Sequence, residues 1–178
     1  LSALPALSDP AGVVIDGTTQ SDFSGINHPD FPPIYLDSAA VVAGLPVFHL
    51  TGSYNTIKNL FLANSNGEAI AVLGSHNMID FNRIGTTQST GVNLLSGSQD
   101  NQVTHNTIYG SAYNGIRLTN SHGNTLLANI IGLEPDGLSP WANVLDGIAL
   151  YNSSDNILTE NTIGANHGSG ILVNAGER

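Results

Sequence analysis

Asn recurs in one short phrase along this chain: Asn55-Thr-Ile, Asn77-Met-Ile, Asn101-Gln-Val, Asn124-Thr-Leu and Asn156-Ile-Leu. The steps between copies are 22, 24, 23 and 32 residues. A unit this short cannot bury an apolar face alone. A recurrence in the range of roughly 20–50 residues therefore points to a solenoid, in which each unit covers its neighbour and the core is continuous.

The phrase has internal order. An apolar residue follows the Asn by two positions, a second Asn by five and an aliphatic residue by seven. Asn77, Ile79, Asn82 and Ile84 fit it, as do Asn101, Val103, Asn106 and Ile108. Asn124, Leu126, Asn129 and Ile131 repeat it, and so do Asn156, Leu158, Asn161 and Ile163. The copy at Asn55 and Ile57 has Leu60 in place of the second Asn, followed by Leu62. Between copies lies a second phrase: Gly91-Val-Asn-Leu94, Gly115-Ile-Arg-Leu118, Gly147-Ile-Ala-Leu150 and Gly170-Ile-Leu-Val173, with Ala69-Ile-Ala-Val72 as a looser form. Apolar residues alternate with period two, and Gly, Asn or Ser ends each run. These are strands bounded by turns.

Short strands once per 22–24 residues leave no room for a crossover helix, and the expected fold is an all-β parallel β-helix solenoid. Each coil would sit about 4.8 Å from the next. Leucine-rich repeats share the period but not the Leu spacing, and propeller blades need longer units of roughly 40 residues. Asn tolerates left-handed backbone, and its amide both donates and accepts, so stacked Asn side chains are expected to satisfy the corners of the coil.

The expected organisation is one β-helix over residues 1–178, with irregular N-terminal coils over 1–50 and regular coils over 51–178. Six of the eight prolines lie in the first part, although Val13-Val-Ile15, Pro33-Ile-Tyr-Leu36 and Val47-Phe-His-Leu50 still read as strands. An insertion over 133–146 carries the only Trp, Trp141, and is expected as a loop on one side of the stack.

Composition narrows the partners. Fourteen acids face only Lys58, Arg83, Arg117 and Arg178, a formal net charge of −10. That argues against nucleic acid and against an anionic membrane surface. There is no cysteine, hence no disulfide or thiolate metal site. No apolar run approaches the roughly 20 residues of a membrane span. The chain opens without Met or a signal-like segment, as expected of a piece of a longer protein.

Together with the Asn-x-Ile-x-x-Asn-x-Ile and Gly-Ile-x-Leu phrases, Asp16-Gly-Thr-Thr-Gln20 and Ile84-Gly-Thr86 complete a recognisable pattern. The chain resembles secreted bacterial right-handed parallel β-helix repeat proteins, which share their architecture with pectin and pectate lyases. That resemblance implies a right-handed coil and a bacterial extracellular or cell-surface location. In that group it also implies polysaccharide lyases, hydrolases and epimerases beside surface proteins without catalysis. A pectate-lyase-like site would bring a calcium cluster next to a basic residue, and no residue set in this sequence matches that cluster.

In a stack, repeat position becomes a spatial column. Three residues after the leading Asn the column reads Lys58, Asp80, Thr104, Leu127, Thr159, with Arg83 nearby. Lys58 or Arg83 as base or charge neutraliser, with Asp80 holding a cation, would suit a lyase. An exposed ion pair is the structural alternative. One residue before the Asn, Asp100 and Asp155 stand two coils apart, hence about 9.6 Å by stacking. An inverting glycosidase keeps its carboxyls roughly 6.5–9.5 Å apart, and Gly123 between the two is expected to leave space. Asp side chains bonding their own turns are the alternative there. His105 and Glu160 have the same separation in the next column.

A third group reads as glycan-binding. Arg117 shares a column with Asn93 and no acid, and Tyr113, Trp141 and Tyr151 are expected around it to stack on a sugar and hold a uronate carboxylate. Loop packing is the competing role for Trp141. No close His pair of zinc type occurs, and Glu134-Pro-Asp-Gly is a fragment of a calcium loop at most. The leading functional expectation is a structural or glycan-recognition module without catalysis and without a cofactor, calcium being the one metal considered. A polysaccharide lyase or hydrolase, and an assembly module pairing through an exposed flank or open coil end, are the alternatives.

Overall fold

The computed structural model describes residues 4–20 and 34–175. Three parallel sheets of six strands each run the length of a right-handed β-helix, and every coil contributes one strand to each sheet. Sheet I holds Val14–Asp16, Thr56–Lys58, Met78–Asp80, Gln102–Thr104, Thr125–Leu127 and Ile157–Thr159. Sheet II holds Ile34–Asp37, Leu60–Ala63, Arg83–Gly85, Thr107–Tyr109, Ile130–Ile131 and Thr162–Ile163. Sheet III holds Phe48–Leu50, Ile70–Val72, Val92–Leu94, Ile116–Thr119, Ile148–Tyr151 and Ile171–Asn174. The first Asn phrase supplies sheets I and II, and the Gly-Ile-x-Leu phrase supplies sheet III.

Period-two alternation decides which side chains enter the core. In sheet I the middle residue points inward, so Ile57, Ile79, Val103 and Leu126 are fully buried in one column. In sheet III the flanking residues point inward, giving Ile70 and Val72, Val92 and Leu94, Ile116 and Leu118. Each such side chain contributes about 1.5–3 kcal/mol when fully buried. None of that is available to one coil alone.

The Asn residues are a structural ladder, as the sequence pattern predicts. Asn55, Asn77, Asn101 and Asn124 are buried, and each donates its Nδ2 to the Oδ1 of the next Asn, at 2.9 to 3.0 Å, ending on Asn156. The same Oδ1 atoms accept a backbone N–H from the preceding coil at 2.8 to 2.9 Å. A second ladder, Asn82, Asn106, Asn129 and Asn161, repeats this between sheets I and II. A short third one links Asn143 to Asn166.

Left-handed corners complete the coil. Asn59, Phe81, His105, Ala128 and Glu160, all with φ between 52° and 57°, turn the chain from sheet I into sheet II. Tyr54, His76, Asp100 and Asp155, with φ between 54° and 62°, do so where the chain enters sheet I. Phe81 and His105 stack face to face at 4.5 Å, and Tyr54 stacks on His76 at 5.1 Å.

Candidate functional site

Because the ladders and apolar columns fill the interior, chemistry resides on the outward columns, and each sheet presents a different set.

Sheet I carries the acid–base groups. Lys58 and Asp80 are register partners, as the column predicts. The ion pair of Lys58, however, is with Asp16 at 3.1 Å, one coil earlier. Asp16 also accepts the Thr18 N–H at 3.0 Å, the Thr18 hydroxyl at 2.8 Å and the Asn59 amide at 3.0 Å. Those bonds, the Thr18 N–H foremost, hold its carboxyl far below the usual range. Lys58 is thereby tied to a carboxylate on the preceding coil. Asp80 instead accepts the Thr104 hydroxyl at 2.6 Å and lies 2.9 Å from Nδ1 of exposed His105. With Nδ1 donating to the carboxylate, Nε2 is the basic nitrogen, an arrangement able to move a proton. By column alone His105 pairs with Glu160; its bond to Asp80 crosses from one outward column to the next and leaves no mark in the repeat.

Asp100 and Asp155 do occupy one exposed corner column. The expected gap at Gly123 is not open. Oδ1 of Asp100 lies 2.6 Å from where a Gly123 Cβ would stand, so the missing side chain seats that carboxylate. Asp155 accepts the Ser154 hydroxyl at 3.0 Å. Asp155 is thus held within its own turn, whereas the Asp100 carboxylate rests against Gly123 of the next coil.

Sheet III holds Asn93 and Arg117 as register partners. Arg117 donates from Nε to Thr119 Oγ1 at 3.2 Å and lays its guanidinium over Tyr151 at 4.9 Å. Among the described residues it meets no carboxylate. Asn93 is buried; its Nδ2 reaches Glu68 at 3.4 Å, whereas its Oδ1 has no partner among the described residues. Tyr113 is exposed in the turn before this strand. Trp141 is elsewhere, which corrects the expected cluster. The insertion folds back through a bridge between Leu133 and Pro140, and Trp141 N–H donates to the Gly132 carbonyl at 3.1 Å. Its ring therefore packs on Tyr109 of sheet II, at 4.6 Å.

Arg83 also belongs to sheet II. Its Nε donates to the Tyr109 hydroxyl, and its guanidinium lies over Phe61 at 4.7 Å and over Tyr109 at 5.2 Å. It is thus separated by a sheet corner from Lys58 and Asp80.

The Glu134–Gly137 segment is an ordinary turn. Asp136 accepts the Leu138 and Ser139 N–H groups, both at 2.8 Å, and the Ser139 hydroxyl at 2.5 Å. Those Ser139 and Leu138 bonds lower its pKa. Among the described residues no three His, Asp or Glu side chains converge on a metal site, and no helix is long and apolar enough to cross a membrane.

Comparison with known proteins agrees with this architecture. A solved point mutant of the periplasmic alginate epimerase AlgG superposes with a TM-score of 0.62 at 26% identity, over 79% of this chain and 30% of that one. A double mutant of the same epimerase gives a TM-score of 0.52 at 23% identity, over 78% of this chain and 34% of that one. The chain thus spans about a third of the length of these relatives. No curated protein matches it. The family model described as a right handed beta helix region matches residues 46–178, and the chain belongs to that family.

Proposed function

We propose that residues 1–178 form one β-helix segment of a bacterial periplasmic or cell-surface enzyme that modifies a uronate-containing polysaccharide, with sheet III as the face that meets the polymer. The observation that carries this is Arg117. In a chain of net charge −10, this guanidinium lies against the Tyr151 ring with no carboxylate of the described residues beside it. Its register neighbour Asn93 keeps a buried carbonyl oxygen without a partner among the described residues. A planar cation on a ring face suits a uronate: carboxylate on the guanidinium, sugar face on Tyr151.

The likeness to an alginate epimerase supports the enzymatic alternative over the module without catalysis. When a base takes the proton from C5 of a uronate, negative charge builds on the carboxylate, and a guanidinium held against it stabilises that charge. Epimerisation and β-elimination both begin with this step, so the proposal names the step and not its outcome.

The test is exchange at C5. Mannuronate and galacturonate polymers are incubated with the protein in D2O and followed by NMR. Deuterium at C5 that disappears in Arg117→Ala is the expected result. Retention on immobilised polymer without exchange would leave a recognition module, and neither retention nor exchange would refute the proposal. Arg117→Lys, which keeps charge but not the planar stack, is expected to weaken retention about tenfold.

A further inference from the structure

The insertion of 133–146 places the only Trp of the chain on sheet II, away from the face proposed to meet substrate. That loop brings Trp141 into line with a row already present. Tyr35, Phe61 and Arg83 are register partners on three successive strands of sheet II. Tyr35 meets Phe61 edge to face at 5.0 Å, and the Arg83 guanidinium spans Phe61 and Tyr109. Tyr109 then carries Trp141.

Glycine makes the row possible. A Cβ at Gly85 would stand 2.6 Å from Cε2 of Tyr109, so the bare Gly85 backbone lets the phenol lie flat across the strand. A Cβ at Gly110, which has φ +63, would stand 3.0 Å from Nε1 of Trp141. Buried Tyr109 is the support, 1% exposed, while Trp141 is 41% and Tyr35 53% exposed at the two ends. Phe61 and Arg83 are half-buried between them.

We infer that this row on sheet II is a second saccharide site, which binds the same class of uronate polymer along the solenoid axis. The inference rests on the polysaccharide reading above for the identity of the ligand. The geometry supplies the rest. Each coil advances about 4.8 Å, close to what one pyranose adds to an extended polymer, so successive sugars meet successive coils. Rings that show faces and edges to solvent stack on the apolar faces of sugars. A compact protein partner would engage only the one or two side chains of the row's width, whereas a linear polymer engages its length.

Trp141 makes the site directly readable, since its emission reports on this row alone. Mannuronate oligomers are titrated into Arg117→Ala, which removes the proposed contact on sheet III, while Trp141 emission and calorimetric binding are followed. A saturable emission change is expected. Phe61→Ala, in the same background, is expected to weaken it about 3- to 10-fold, the worth of one stacked ring. Phe61→Tyr is expected to retain it, and the melting temperature of each variant separates lost contact from lost fold.

An oligomer that binds the unsubstituted protein without changing Trp141 emission would overturn this inference and leave the sheet III reading standing. So would Phe61→Ala lowering the melting temperature while leaving the titration unchanged, because the row would then be packing alone. A full emission response with no effect of Arg117→Ala on affinity would support the row and remove sheet III as the contact face. No binding of mannuronate or galacturonate oligomers to either form would overturn both.

Discussion

Replacing Asn101 by Ala tests whether the ladder stabilises the stack or merely decorates it. Asn101 is fully buried. Its Oδ1 accepts the Asn77 N–H at 2.8 Å and the Asn77 amide at 3.0 Å. Its Nδ2 donates to Asn124 at 3.0 Å and to the Gly74 carbonyl at 3.2 Å. Ala removes all four bonds but keeps the backbone. A backbone N–H left buried without an acceptor costs about 1–3 kcal/mol, and the remaining bonds about 1 kcal/mol each. Water entering the vacated space restores part of this, so the expected loss is about 3–5 kcal/mol. For a chain of this size that lowers the melting temperature by roughly 10 °C. The control is Gln102→Ala, next along the chain but exposed, with an expected change within about 0.5 kcal/mol. Urea and thermal melts followed by circular dichroism measure both. Asn156, partly exposed and the last rung of this ladder among the described residues, should cost clearly less on the same change. If Asn101→Ala falls within about 1 kcal/mol of Gln102→Ala, the buried-polar reasoning fails.

Further substitutions probe Asp16 and two corner residues. The Asp16 carboxyl titrates below its unfolded value, so its contribution is present above that value and is lost as pH falls through the folded one. The urea midpoint of the parent should therefore exceed that of Asp16→Asn at neutral pH, with the gap narrowing below about pH 4; a gap that stays constant would show that the charge of Asp16 does not matter. Ala128 sits at φ 53° and heads the turn into sheet II with no ring to stack on. Left-handed backbone costs an L-residue about 1–2 kcal/mol, and glycine's extra unfolded freedom costs about 0.5–1 kcal/mol. Ala128→Gly is thus expected to stabilise by about 0.5–1 kcal/mol, whereas Phe81→Gly forfeits the His105 stack and should not; a destabilised Ala128→Gly would refute the argument.

Register was the legible part of this chain. The column Lys58, Asp80, Thr104, Leu127, Thr159 is the observed pairing order, because the Asn phrase marks the same backbone position in every coil. What escaped had no such mark. Asp16 joins that column, yet 42 residues separate it from Lys58, and its coil has Val13, not Asn, at the ladder position, with the Val13 N–H donating to Asn55. Left-handed backbone at Phe81, His105 and Glu160 carries no propensity signal, since those residue types are not turn formers. The side on which Trp141 lies is not legible because periodicity ends at Gly132 and resumes at Gly147. Only the Leu133–Pro140 bridge decides on which side the insertion lies.

The placement of the cations then constrains how the proposed uronate polymer could be held. Lys58 is neutralised by Asp16. Arg83 and Arg117 are both laid on rings, on two different sheets. At net −10 the protein repels a uronate polymer at long range, and salt screens that repulsion over about 10 Å. Diffuse charge attraction is therefore the wrong source of affinity here. Only contacts made at ring distance survive: stacking on an aromatic face and paired hydrogen bonds from a guanidinium that the same face holds flat. Arg117, laid on Tyr151, is built that way. Removing a ring should thus weaken polymer binding much as removing the neighbouring charge does, because the ring fixes the plane in which the charge is offered.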